Sequence, residues 1–121
     1  MQAPLPLPWQ YSQADKLFKD RMLMLVNKHI SDSSLSVDRL AEMMSMGRTK
    51  FYGKVKKLTG MSPNKYLMDI RMKKAADLLA DGELTVAEVS YKVGFEDPSY
   101  FNKCFKAAYG VVPSKYVREA Q

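Results

Sequence analysis

The stretch "GVVPSKYV" at residues 110–117 repeats "GMSPNKYL" at residues 60–67, with Gly, Pro, Lys and Tyr in register and an aliphatic residue closing both copies. The correspondence runs on upstream. "LSVDRLAEMMSM" (35–46) lies over "LTVAEVSYKVGF" (84–95) at an offset of 49 residues. From Phe51 the offset is 50, so that Phe51 falls on Phe101, Val55 on Phe105, Lys56 on Lys106 and Gly60 on Gly110. One residue has been inserted between the two blocks, and insertions settle in turns. Each copy therefore reads as two short helices joined by a turn, and the chain carries that unit twice.

Local signals agree with this division. Apolar residues in 37–46 and 86–93 recur every three to four positions, which is a helical period. Thr85 and Glu88 have the spacing of a capping box, in which hydroxyl and carboxylate each satisfy a free amide. Ser62-Pro63 and Asp97-Pro98 each set a capping side chain before a proline at the first helical position. Gly60 and Gly110 fall where a left-handed helix stop is expected. Two longer helices complete the pattern. One covers about 15–31, with Phe18, Met22, Leu25, Val26 and His29 on a stripe; the other covers 62–81, with Tyr66, Ile70, Ala75, Leu78 and Leu79. The second is about 30 Å long at 1.5 Å per residue. No segment alternates long enough for a strand, so the expected fold is all-α with seven helices. The expected organisation is a proline-containing tether (1–14), a first subdomain (15–61), a linker helix (62–81) and a second subdomain (82–121).

Composition narrows the function. Nineteen Lys and Arg against thirteen Asp and Glu leave a formal charge of +6, which favours an acidic partner, either nucleic acid or an anionic membrane surface. A single cysteine, Cys104, forms no internal disulfide and suits a reducing compartment such as the cytoplasm. No apolar run approaches the roughly 20 residues of a membrane span, and "MQAPLPLPWQYS" lacks the charge and apolar stretch of a signal peptide. We expect no membrane contact by this segment. Its prolines read as an extended tether, too short for a ligand pocket, so no small-molecule site is expected here; the chain is either a small autonomous protein or the output end of a longer one, and the prolines favour the second. One histidine and one cysteine do not make a zinc site, so no metal or cofactor is expected. The carboxylates are scattered and no phosphate-binding glycine loop is present, so no enzyme is expected. Cys104 reads as a small core residue, as do the methionines on inward stripes: Met22, Met43 or Met44, and Met46.

The second helix of each unit divides by angle into two faces. Phe51, Val55 and Leu58 form the inward stripe of the first, and Phe101, Phe105 and Ala108, with Cys104 beside them, that of the second. Outward lie Thr49, Gly53, Lys56 and Lys57, flanked by Lys50 and Tyr52; and Ser99, Lys103 and Lys106, flanked by Tyr100 and Asn102. No carboxylate projects from either outer face. Hydroxyls, amides and lysines hydrogen-bond base edges and phosphates, and a helix has the width of the major groove. A solvated amphipathic surface is the plainer alternative, and each helix singly leaves it open. Two matched faces held about one double-helical turn apart favour duplex DNA. Two other readings remain. One is a helical protein-interaction module with a solvated basic surface. The other is a single-strand RNA binder, which needs exposed aromatics that are expected to be buried here.

The residues "VAEVSYKVGFEDPSYFNKCFKAAYGVVPSKY", with "RMKKAADLL" before them, resemble the DNA-binding domain of AraC/XylS-type transcription regulators. The resemblance covers residues 15–118. It implies two homeodomain-like helix-turn-helix units bridged by a helix, reading adjacent major-groove segments of double-stranded DNA, and contact with RNA polymerase or another regulator. The DNA-binding set it implies is Arg48, Thr49, Lys50, Tyr52, Gly53 and Lys56 in the first unit. In the second it is Pro98, Ser99, Tyr100, Asn102, Lys103 and Lys106. "LSVDRLAEMMSMGRTKFYGKVKKLTGMSPNKYL" and the tether are similar to the output domain of hybrid two-component regulators, whose full-length form can be membrane-anchored. Three residues depart from the family pattern: Gly53, where a long polar side chain is usual, and Gly47 and Val112, where Ser or Thr caps are usual. Val112 accepts no side-chain hydrogen bond, so the last helix is expected to fray at its start.

Overall fold

Ser12 opens the first helix, its hydroxyl accepting a hydrogen bond from the Asp15 amide at 3.0 Å. In the computed structural model of the protein, which describes residues 12–120, seven α-helices follow in order and no strand occurs among those residues. They are α1 (Gln13–His29), α2 (Val37–Met43), α3 (Arg48–Thr59), α4 (Pro63–Asp81), α5 (Val86–Lys92), α6 (Pro98–Tyr109) and α7 (Pro113–Ala120). Residues 1–11 of the expected tether lie outside the described residues. Because Ser12 supplies the cap, Gln13 and Ala14 are helical; at its other end α1 stops at His29, two residues earlier than the spacing predicts.

Both units close their first helix in the same way. The amides of Ser45 and Met46 donate to the carbonyls of Glu42 and Ala41, and those of Gly94 and Phe95 to Tyr91 and Ser90, at 2.9–3.1 Å. This Schellman pattern places one residue in the left-handed region: Ser45 at φ 56° in the first unit and Gly94 at φ 90° in the second. The turn from α2 to α3 then occupies Met44–Gly47 and that from α5 to α6 occupies Val93–Asp97, so the inserted residue falls in the turn. The capping box forms in full, with Thr85 N–H on Glu88 Oε1 at 2.8 Å and Glu88 N–H on Thr85 Oγ1 at 3.1 Å. Hydrogen bonding to the carboxylate, first from the Thr85 amide and then from its hydroxyl, holds the Glu88 carboxyl below the usual carboxylate range. Ser62 accepts from the Lys65 amide and Asp97 from the Ser99 amide. Gly60 and Gly110 stop α3 and α6 at φ 76° and 81°. The Val112 carbonyl accepts from the amides of Lys115 and Tyr116, so the main chain begins α7 behind a buried Pro113.

There are two cores, and α4 contributes to both. The first joins Phe18, Met22 and Val26 of α1 to Val37, Leu40 and Ala41 of α2, Phe51, Val55 and Leu58 of α3, and Leu67 of α4. The second joins Met72, Ala75, Ala76 and Leu79 of α4 to Val89 of α5, Val93 and Phe95 of the turn, and Phe101 and Phe105 of α6. Tyr116 and Val117 of α7 pack against it. At the 49-residue offset of the repeat, α1 falls on α4. Val26 and Ile30 correspond to Ala75 and Leu79, and Met22 corresponds to Arg71; all are buried. The helix that finishes the first unit thus also begins the second. Its 19 residues extend about 28 Å.

Two residues expected in the core are not enclosed by it, Ala108 and Cys104. Ala108 is exposed. It stands where Leu58 stands in the first unit, but its methyl is too short to reach α4. The gap remains an open groove lined by Lys65, Met68, Met72, Cys104, Ala107 and Ala108. Cys104 is half-buried at the edge of that groove and not enclosed beside Phe105. Met43, Met44 and Met46 are likewise half-buried against the first core.

Candidate nucleic-acid interface

The inward stripes fix which side of α3 and α6 faces solvent. Phe51, Val55, Phe101 and Phe105 are fully buried. Phe105 sits in an aromatic cluster, 5.3 Å from Tyr116 in an edge-on arrangement and 5.9 Å from Phe101. With these residues inside, the helical period turns Thr49, Gly53, Lys56 and Lys57 outward on α3, and Ser99, Lys103 and Lys106 outward on α6; all seven are exposed. Lys50 and Asn102 on the flanks are exposed as well.

The remaining expected residues are partly engaged within the chain. Tyr52 is half-buried and packs against the first core. The Arg48 guanidinium lies 5.3 Å from the Tyr52 ring centroid and 3.6 Å from the Asp38 carboxylate. Both ends of that ion pair are well exposed, so it restrains Arg48 by little. Pro98 is half-buried at the first position of α6, while Tyr100 is exposed and rests its ring 5.8 Å from Phe95. Lys54 is turned aside, its ammonium 4.9 Å from the Phe18 ring and 3.5 Å from Asp15, so it takes no part in the outer face. Neither α3 nor α6 contains an acidic residue. The carboxylate at the start of α6, Asp97, is occupied by the Ser99 amide at 2.9 Å.

Gly53 lies mid-helix with open space around it: a Cβ built there meets nothing within 4 Å. No packing inside the free chain accounts for a glycine at that place. The first unit accordingly presents a backbone dip where the second presents Lys103.

A group that sequence reading missed lies between the units. Arg71 of α4 is buried and its Nη2 donates to the Asp32 carbonyl at 3.4 Å, while its Nε has no hydrogen-bond partner. Burial pushes the guanidinium's pKa down and the nearby Asp32 carboxylate draws it back up. Beside it, Ser33 Oγ donates to Glu96 Oε1 at 2.9 Å across the two units. The available signal was the repeat itself, which sets a charged residue where the first unit has Met22.

Residues 40–119 match the model of a helix-turn-helix domain family. The C-terminal domain of AraT, a response regulator from Geobacillus stearothermophilus, is 32% identical and superposes with a TM-score of 0.78, over 91% of this chain and 88% of that one. The chain belongs to the AraC-type helix-turn-helix family. The DNA-binding domain of AdpA, a global transcriptional factor solved in complex with a target DNA, is 26% identical with a TM-score of 0.77, over 83% of this chain and 89% of that one. Among curated relatives, a histidine kinase from Formosa agariphila is 30% identical over 87% of this chain. The AraC-type chain described here spans only 8% of that kinase. Among its described residues no helix is long and apolar enough to cross a membrane.

Proposed function

We propose that this AraC-type domain binds double-stranded DNA sequence-specifically and regulates transcription, with α3 and α6 in successive major-groove segments. One observation carries the reading: two outward faces of matched polar and basic residues, free of carboxylates, stand on equivalent helices of two units bridged by one helix. The likeness to a domain solved on its target DNA supports it. The residues that make contact are Arg48, Thr49, Lys50, Tyr52, Gly53 and Lys56 of α3, and Pro98, Ser99, Tyr100, Asn102, Lys103 and Lys106 of α6. The domain works in the cytoplasm as the output end of a longer two-component protein, anchored at the membrane where that protein is a hybrid sensor. RNA polymerase is the second partner in this reading. It is a binding module and not an enzyme.

Sequencing duplexes selected from a random pool tests the reading and supplies the operator. Binding should fall steeply with added salt, because phosphate contacts release counterions. Binding that is indifferent to salt would favour the protein-interaction module. Two lysines separate base from phosphate roles. Lys103→Ala is expected to cost about 1–3 kcal/mol and to relax preference at one base position. Lys106→Ala should weaken all sequences alike and lower the salt slope by about one. Reversed behaviour of the pair would show the groove-facing assignment to be wrong.

Stoichiometry gives a second expectation. Both units are on one chain, so a 1:1 complex should form on a site of roughly 20 base pairs. Native mass spectrometry that finds only two chains per site would contradict it.

Gly53 gives a third. Alanine gains up to about 1 kcal/mol of helix propensity and meets nothing in the free chain. Gly53→Ala should therefore raise the melting temperature while lowering operator affinity, because the methyl fills the dip through which the backbone approaches DNA. A variant that gains in both measurements would exclude that close approach.

A further inference from the structure

Among the described residues the two units meet, away from α4, at a small joint where the loop after α1 meets the turn after α5. Ser33 donates to Glu96 at 2.9 Å. The Arg71 guanidinium reaches from α4 to the Asp32 carbonyl at 3.4 Å. Gly94 approaches so closely that a Cβ there would collide with the Ile30 carbonyl and lie 3.0 Å from the Arg71 guanidinium carbon. A shared helix by itself defines an axis about which two packed units can rock. A second attachment, set off from that axis, removes the rocking.

The chemistry of Arg71 also needs a reason. A buried charge with an unpaired Nε is a costly way to fill space, and apolar replacements of buried ionic groups are often neutral or stabilising. The first unit fills the equivalent place with Met22, where no second unit has to be held. What the guanidinium adds over a methionine is a hydrogen bond directed at the Asp32 carbonyl of the first unit, while Gly94 of the second unit packs closely against it. Being buried, it is also shielded from any bound duplex.

We propose that the joint of Arg71, Gly94 and the Ser33–Glu96 pair sets the spacing between the two DNA half-sites that the domain accepts. The inference rests on the reading of α3 and α6 as the two recognition helices. One inserted base pair turns the second half-site by about 34° and moves it about 3.4 Å along the axis. A rigid pair of units cannot follow both changes; a pair free to rock follows part of the way. Arg71 and its partners are positioning residues in this scheme, acting on specificity through the angle between α3 and α6.

The test uses the whole chain on its selected operator and on the same duplex with one base pair inserted between the half-sites. The wild-type chain should lose about 100-fold on the longer spacer, the cost of one or two base contacts. Arg71→Met should bind the native spacing within about threefold of wild type and lose only about tenfold on the longer one. The pair Ser33→Ala with Glu96→Ala leaves both cores intact and should shift the ratio the same way by a smaller factor, so the answer does not depend on Arg71→Met folding. Circular dichroism establishes that each variant is folded. Spacing ratios equal to wild type in the folded variants would overturn the proposal, as would equal losses on both spacers. A wild-type chain that binds no selected duplex at all would overturn the DNA-binding reading beneath it, a failure recognisable because no spacing ratio then exists.

Discussion

Replacing Gly94 by alanine should destabilise the protein by about 2–5 kcal/mol, from a left-handed backbone penalty of about 1–2 and an overpacking penalty of about 1–3. Gly94 sits at φ 90°, so any side chain is strained there. The added methyl also points at the Ile30 carbonyl, which is backbone, and at the Arg71 guanidinium. Neither can give way alone, since Ile30 is buried behind α1 and Arg71 is enclosed. Ser45 holds the equivalent place in the first unit at φ 56° and is exposed, so a side chain is tolerated where nothing packs against the turn. Urea denaturation measures the effect. A loss under about 1 kcal/mol would mean that the loop after α1 moves aside freely, and that the contact between the units is loose.

Phe105→Ala is expected to cost about 3–5 kcal/mol. Its ring is fully buried and meets Phe101, Tyr109 and Tyr116 within 6 Å. A domain of this size has only about 5–15 kcal/mol in all, so the variant should melt far below the wild type. Its counterpart Val55→Ala removes less volume and should cost about 1–3 kcal/mol less. Thermal melts of the two variants side by side check the order; equal losses would mean that the aromatic cluster adds nothing beyond aliphatic packing.

Much of this arrangement could be read before any coordinates. Repetition of Gly60 and Gly110, the capping residues Ser62, Thr85 and Asp97, and helical spacing of apolar residues are local signals, and each element follows from them. Which side of α3 and α6 faces outward followed as well, because Phe51 and Phe101 are too large to lie anywhere but inside. What periodicity does not encode is which neighbour covers a given face. Ala108 has the angular position of a core residue, yet no helix comes near enough to enclose it. Arg71 reads from its sequence neighbours as one more basic residue on a long helix; only the packing of the Asp32 loop and the Gly94 turn encloses it.

The sharing of α4 has a consequence for how the chain melts. Isolated helices of fewer than about 12–15 residues are marginal in water, and each half of α4 is shorter than that. Its first half holds helical form because Leu67 is anchored among Phe51, Val55 and Met22; its second half because Leu79 and Ala75 are anchored among Phe101 and Phe105. If either core comes apart, half of α4 loses its support, and the hydrogen-bond ladder running into the other half frays toward the surviving core. The loss of one unit is therefore felt as lost stability in the other. The pair is therefore expected to melt as one cooperative body in place of two beads on a string. A molecule that grips only the first unit would then slow the opening of the second, with no contact to it at all.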